Sequence, residues 1–533
     1  LERCEDYTDE IVVQDYIESK TLSECNVTTY DLVLEKEHLF WCEGFYVHNC
    51  GRRGALMLAT HTKSMDSQSF IDAKLDTTKV TGANISVKID DEFMEALNNG
   101  TEYIQQFPLN TKNPTITKNI NPKDIWNKLI HNNWKSAEPG ILFWDTILRE
   151  SVADCYKDFG FETIGTNPCG EITLCDSDSC RLLLLNLYSF VESPFTKSAY
   201  FDFEKFNKYA QIAQRYMDDL VDLELEKIDQ IISKIESDPE SDETKAIEIG
   251  LWNRIKKKCS SGRRTGTGVT GEGDMLAALG LIYGTTEATD FATKVHMELA
   301  INAYKSSTIL AKERGAFEYF DFKLEVNNPF VNRLYSIDSE LKKMTEEYGR
   351  RNISILTISP AGSVSILTQT TSGIEPAFMI YYKRRTKINP SEKKSNIHVD
   401  FVDDNGDEWR EYKIFHQKFL IWANINNHHV ENLSDEQINE LIKISPYHNA
   451  TSADINWKES IRMQGEVNKY IDHSISKTCN LPSDTTIEQV DELYRYAHKV
   501  GCKGVTIYRD GSRSGVFISN DKTSLGKYPL NGG

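Results

Sequence analysis

Thr166-Asn167-Pro168-Cys169-Gly170-Glu171-Ile172 places a thiol between a carboxamide two residues before it and a carboxylate two residues after it. Alternate residues of an extended chain point the same way, so an extended reading puts Asn167, Cys169 and Glu171 on one face. A sulfur, an amide and a proton acceptor then address a single substrate. A second thiol, Cys180, follows in Asp178-Ser179-Cys180-Arg181-Leu182. Residue type alone leaves a plainer alternative open, because an unbridged cysteine is often a small buried hydrophobe. The surroundings of the sulfur decide between the two.

Moving outward, Gly266-Thr267-Gly268-Val269-Thr270-Gly271 has the G-x-G-x-x-G spacing of a dinucleotide loop. Such a loop follows an apolar strand, whereas this one follows Ser260-Ser261-Gly262-Arg263-Arg264-Thr265. It reads instead as a strand with close backbone packing. Arg351 to Ile358 is a further strand, and Ser359-Pro360-Ala361-Gly362-Ser363-Val364-Ser365 turns from it into a helix. The amides at a helix start, with small residues around them, suit a phosphate, which makes Gly362, Ser363, Val364 and Ser365 candidate binders. Upstream, Gly51-Arg52-Arg53-Gly54 is a basic turn that suits nucleotide phosphates or, more simply, water, and it feeds the apolar run ending at Thr60. Val80 to Ile89 is strand-like, with Ile85, Val87 and Ile89 alternating. Phe70 to Lys74 is a short helix candidate. Asn121-Pro122-Lys123-Asp124 opens a helix with Trp126, Leu129, Ile130 and Trp134 on one stripe, and Pro139-Gly140 stops it. Asp202 to about Lys258 is helical, breaks at Pro239, and carries a solvated charged face.

In combination these motifs resemble ribonucleotide reductase large subunits. Asn-Pro-Cys-Gly-Glu-Ile followed by Ser-Cys-Arg-Leu is similar to the family's active-site finger loop, most closely in the adenosylcobalamin-dependent, class II form. Arg-Arg-Gly-Ala, Ala-Asn-Ile-Ser-Val, Gly373-Ile374-Glu375-Pro376 and His473-Ser474-Ile475-Ser476-Lys477-Thr478-Cys479-Asn480-Leu481-Pro482 also match. The phosphate turn departs from the family's usual Pro-Thr-Gly-Thr-x-Ser at Ala361 and Ser363. Where class I members carry adjacent tyrosines for radical relay, this chain has Ile507-Tyr508, which favours a radical made locally. The resemblance implies an α/β fold built on a ten-stranded barrel over residues 50–521, followed by a truncated tail over 522–533. It implies a thiyl radical at Cys169, a general base at Glu171, substrate contact from Asn167, and Cys180 as one half of the reducing dithiol. The other half is expected upstream of Leu1, so the isolated chain is expected to be inactive. The Gly51–Gly54 turn corresponds to the loop that relays effector binding. Implied partners are a ribonucleotide substrate, a deoxynucleotide or ATP effector, a thioredoxin-like reductant, and a second copy in a homodimer; no metal is implied. The alternative is a class I subunit that needs an iron or manganese partner protein.

Residues 1–49 read differently. Asn49 can attack its own backbone carbonyl and cut the chain, His48 can move the proton this requires, and Cys50 can take over an acyl group as a thioester. Tyr30-Asp31-Leu32-Val33-Leu34, His38 and His48-Asn49-Cys50 resemble the C-terminal blocks of an intein, a small all-β segment that splices itself out with an N-terminal extein and intein portion. A β-hairpin is the ordinary alternative, and splicing as the chain's principal activity is a further one. Residue 1 is Leu, so the sequence is expected to begin inside a longer one.

Composition narrows the class. The 533 residues carry a net charge of −19, which opposes wrapping a nucleic acid. Hydrophobic residues at 39% and aromatics at 10% suit a large globular core. No apolar run is long enough to span a bilayer. Eleven cysteines without a C-x-x-C point to a reducing cytoplasm and away from a zinc ribbon.

Overall fold

The computed structural model describes residues 55–76, 80, 82–179, 181–388, 399–402, 408–431 and 433–512, together with the backbone of four short strands within residues 17–48. His38, Asn49, Cys50, Gly51, Arg52, Arg53, Gly54, Cys180 and the tail 522–533 lie outside the described residues.

Two compact units divide at Leu56 and Met57. In the first, Ile17–Leu22 pairs antiparallel with Thr28–Leu32, and Leu39–Cys42 pairs antiparallel with Phe45–His48. Both the intein reading and the plain hairpin reading call for such pairs, so the strands do not choose between them.

The second unit holds the wall of strands that the site is built on. Five strands lie in the order Thr478–Leu481, Gly504–Arg509, Gly140–Phe143, Ala83–Ile89, Leu56–His61. The first two run parallel, as do Gly140–Phe143 and Ala83–Ile89, while Gly504–Arg509 meets Gly140–Phe143 antiparallel. A second set begins with Leu183–Asn186 parallel to Thr267–Thr270. It continues through single parallel bridges, Thr267 to Leu356 and Ile358 to Ile475. The expected strand over 351–358 is therefore a bridged segment without a regular ladder. The chain runs from Ile475 directly into Thr478–Leu481, which links the two sets.

Glycine explains the tightest part of the wall. A Cβ on Gly268 would stand 2.2 Å from the Thr357 carbonyl oxygen, and one on Gly266 would stand 2.5 Å from the Arg181 carbonyl oxygen. Both glycines are there for backbone contact between neighbouring strands, and Thr267–Thr270 is buried throughout. This excludes the phosphate-loop reading of the G-x-G-x-x-G spacing.

Helices pack outside the strands as their patterns predict. Pro122–Ser136 starts at Asn121, whose side chain accepts from Lys123 N, and buries Ile125, Trp126, Leu129 and Ile130. These residues pack with Val87, Ile89, Ile141 and Cys479 in one apolar cluster. The long helical stretch is two helices, Phe203–Ser237 and Asp242–Gly262, capped by Asp202 and Ser241. The short helix expected over Phe70–Lys74 lies slightly earlier, at Ser67–Ile71.

Candidate functional site

Gly165–Thr166 pairs antiparallel with Thr173–Leu174, and the Asn167 amide donates to the Ile172 carbonyl at 3.1 Å. The loop so closed is a tight turn, which corrects the extended reading of residues 167–171. Gly170 N donates to Asn167 O at 3.0 Å across Pro168 and Cys169, and Gly170 has φ +81. Pro168 fixes its own φ for the second turn position, and glycine accepts the positive φ that follows. In consequence Cys169 is exposed at the tip, while Glu171 is only 2% exposed at the base. They do not lie side by side on one strand face.

Asn167 works within the loop. Its Oδ1 accepts from Ile172 N at 3.0 Å. One Glu171 carboxylate oxygen, Oε2, is buried with no hydrogen-bond partner among the described residues. Burial pushes the Glu171 carboxyl above the ordinary carboxylate range, and the neighbouring Asn167 side chain offsets part of that rise. The Glu171 backbone carbonyl accepts twice, from Thr357 Oγ1 at 2.8 Å and from Ser474 N at 2.9 Å. The base of the loop is thereby tied to both bridged segments of the wall.

The returning limb is anchored as firmly. His473 Nε2 lies 3.0 Å from the Thr265 carbonyl, so it must carry the hydrogen; Nδ1 then accepts from Thr173 Oγ1 at 3.2 Å. Burial pushes His473 down to about 4, which keeps the imidazole neutral. Arg264 donates to the Thr173 carbonyl at 3.0 Å and forms a fully buried ion pair with Asp178. Around Cys180, Arg181 pairs with Glu224 and donates to Arg264 O at 2.7 Å and to Cys259 Sγ at 2.9 Å. Ser179 Oγ donates to Glu224 at 2.8 Å. Both neighbours of Cys180 are fixed in place.

The candidate phosphate turn is a helix, Gly362–Thr368, with Ala361 at its N-cap. Ala361 offers no capping side chain, so the first-turn amides of Gly362, Ser363 and Val364 are left for solvent or a ligand. Gly362, Ser363 and Val364 are exposed. Ser365 is buried and its hydroxyl donates to Gly362 O at 2.9 Å, so this hydroxyl already has a partner. The same segment that bonds Glu171 through Thr357 leads into this helix four residues on.

Sequence reasoning assigned no role to Thr357, His473 and Ser474. The last two stand in a recognised motif; nothing local marks the first. Ile507 is fully buried in the apolar cluster, and Tyr508 is half-buried on Gly504–Arg509. Glu375 accepts from Thr478 N at 2.7 Å, a structural bond. Asp218, Asp219 and Asp222 converge, but Arg263, Arg314 and Arg351 neutralise them, which opposes a metal site there. No described helix is long and apolar enough to cross a membrane.

Comparison with known proteins gives a consistent picture. The family described as "Ribonucleotide reductase, barrel domain" matches residues 44–508. A vitamin B12-dependent ribonucleoside-diphosphate reductase of Thermoplasma acidophilum is 30% identical over 464 residues, covering 87% of this chain and 52% of that protein. One of the same name from Mycobacterium tuberculosis is 28% identical over 473 residues, covering 88% of this chain and 58% of that protein. The chain thus spans little more than half the length of these relatives. Among solved structures, the Actinobacillus ureae class Id ribonucleotide reductase alpha subunit superposes with a TM-score of 0.54 at 19% identity, covering 86% of this chain and 71% of that one.

Proposed function

The chain belongs to the ribonucleotide reductase barrel-domain family, and on that premise we propose that it carries the radical thiol, the base and one reducing thiol of an enzyme that converts ribonucleotides to 2′-deoxyribonucleotides. The observation that carries this reading is the finger loop: an exposed thiol at the tip, a buried carboxylate at the base, and a carboxamide that closes the loop between them.

Adenosylcobalamin is the proposed cofactor, supported by the names of the relatives and by Ile507 standing where a tyrosine relay would need a phenol. Cys169 stands exposed at a loop tip and would be the residue that faces the cofactor. When bound, the cofactor supplies the radical equivalent that makes the Cys169 sulfur a thiyl. The sulfur then takes the 3′ hydrogen atom of the substrate. Glu171 accepts the 3′-hydroxyl proton, and its raised pKa makes it the stronger base. The 2′ oxygen leaves as water and the 2′ carbon gains a hydrogen; both hydrogens and both electrons come from Cys180 and a second thiol as their disulfide forms, and Glu171 returns its proton to the 3′ oxygen. Cys169 finally returns its hydrogen atom to the 3′ carbon. Gly362, Ser363 and Val364 hold the substrate phosphates; Ser365, which the sequence offered as a fourth binder, donates its hydroxyl to Gly362 O and supports the turn from below; and Gly51, Arg52, Arg53 and Gly54 relay the effector. A thioredoxin-like protein re-reduces the disulfide, and the complete enzyme is a dimer.

We assign residues 1–49 to an intein segment, with Cys50 the first residue after splicing. Asn49→Ala then blocks its release in the precursor, and release of that segment by the mutant, seen by mass analysis, would disprove it.

The experiment for the catalytic reading is Cys180→Ser in the complete enzyme. Hydrogen abstraction should survive while reduction fails, so labelled substrate should lose its base and give no deoxynucleotide. Normal deoxynucleotide yield from this variant would refute the assignment.

A further inference from the structure

The finger hairpin has two limbs, and the wall holds each differently. Strand Ala83–Ile89 buries Ile85, and packs Val87 and Ile89 into the apolar cluster with the helices, which sends Asn84, Ser86 and Lys88 to its opposite face. From that face Asn84 Nδ2 donates to the Pro168 carbonyl at 2.9 Å. Lys88 Nζ donates to the Ile164 carbonyl at 2.5 Å and sits 3.9 Å from the centroid of the Trp144 ring. Ile164 N already bonds Leu174 O, so its carbonyl is the group left facing outward. Two side chains of one strand thus grip the first limb at its two ends, four residues apart.

We infer that Asn84 is a positioning residue for the Cys169 thiol, acting through the Pro168 carbonyl, with Lys88 holding the base of the same limb. The inference rests on the proposed role of Cys169 as the radical thiol. Pro168 has no N–H, so its carbonyl is the one backbone group through which the wall can hold it. That carbonyl belongs to the peptide whose nitrogen is Cys169 N, so fixing the peptide plane fixes where the Cys169 side chain starts. Within the turn Gly170 N donates to Asn167 O, and Asn84 adds a bond from the wall to the carbonyl of the central Pro168–Cys169 peptide. Abstraction of a hydrogen atom depends on close placement of sulfur and carbon, and small misplacements are expensive in rate. Asn84 is itself exposed, so replacing it leaves the core intact.

The test uses the complete enzyme with labelled ribonucleotide and adenosylcobalamin. Asn84→Ala should lower kcat about 2–10-fold, the worth of one hydrogen bond, with KM and the melting temperature unchanged. It should raise the rate at which iodoacetamide alkylates Cys169, read on the Cys169 peptide by mass spectrometry, by a similar factor. Asn84→Gln keeps the donor and should recover part of both changes; Lys88→Met, which removes the ammonium from the Ile164 carbonyl and from the Trp144 ring, should act in the same direction as Asn84→Ala. Unchanged kcat and unchanged alkylation in Asn84→Ala, beside an inactive Cys169→Ser, would overturn the inference and leave the role of Cys169 standing. A lowered melting temperature with no recovery in Asn84→Gln would reduce Asn84 to a structural part and equally overturn it. Activity in Cys169→Ser would remove the radical thiol and this inference together.

Discussion

Replacing Glu171 by glutamine removes a base and a buried charge at once, and the two effects have opposite signs. The wild-type carboxylate is 2% exposed, has one oxygen with no described partner, and is raised in pKa by burial. A carboxyl whose folded pKa lies above its unfolded value keeps its full contribution to stability below the ordinary range near 4.3 and loses it as pH rises through the raised value. Glu171→Gln carries no such charge. The two proteins should therefore melt alike near pH 4, and the variant should become the more stable one toward pH 8. The gap should approach about 1–3 kcal/mol, the cost of leaving a buried polar group unpaired. Turnover should move the other way, falling about 10²–10⁴-fold with the loss of general base catalysis. In the wild type, the acid limb of the kcat profile should sit above the ordinary carboxylate range. The assays are thermal melts of both proteins across pH and product formation in the complete enzyme. A variant that is less stable at pH 8 yet turns over within tenfold of wild type would show that Glu171 is a structural carboxylate.

Other elements make their own predictions. Gly268→Ala puts a Cβ 2.2 Å from the Thr357 carbonyl, and denaturant unfolding should show a loss at the upper end of about 1–3 kcal/mol; an unaltered midpoint would contradict the strand packing. His473 is held at about 4 when folded against an ordinary 6.5, so its contribution is present above 6.5 and is lost as pH falls from there to about 4. His473→Gln should flatten that part of the stability curve, and an identical acid slope in both proteins would argue against a buried neutral imidazole. Ser363→Ala should raise KM for the nucleotide more than it lowers kcat, by the roughly 1.5–3 kcal/mol of a hydrogen bond to a charged group, while an unchanged KM would remove Ser363 from the phosphate site.

Local pattern carried a large part of the fold. Alternation at Ile85, Val87 and Ile89 located the inner strand, and Asn121-Pro122 with its apolar stripe located the helix over Pro122–Ser136. The context of Gly266 and Gly268 was enough to read a packed strand where the spacing alone suggested a phosphate loop. The finger loop was legible in its chemistry and misread in its shape. A period-two reading put Asn167, Cys169 and Glu171 on one face, whereas Pro168 and Gly170 carry turn chemistry, and the turn separates an exposed sulfur from a buried carboxylate. What holds that loop was out of reach, because Asn84, Thr357, His473 and Ser474 meet it from chain positions far apart. No pattern within a window records contacts of that range.

The most direct test of the account is Cys169→Ser in the complete enzyme, supplied with adenosylcobalamin and labelled ribonucleotide. The account predicts neither deoxynucleotide nor released base, because a serine hydroxyl cannot serve as the hydrogen-atom shuttle. Deoxynucleotide formed at near the wild-type rate would contradict it outright, and base released without reduction would place the radical on another residue.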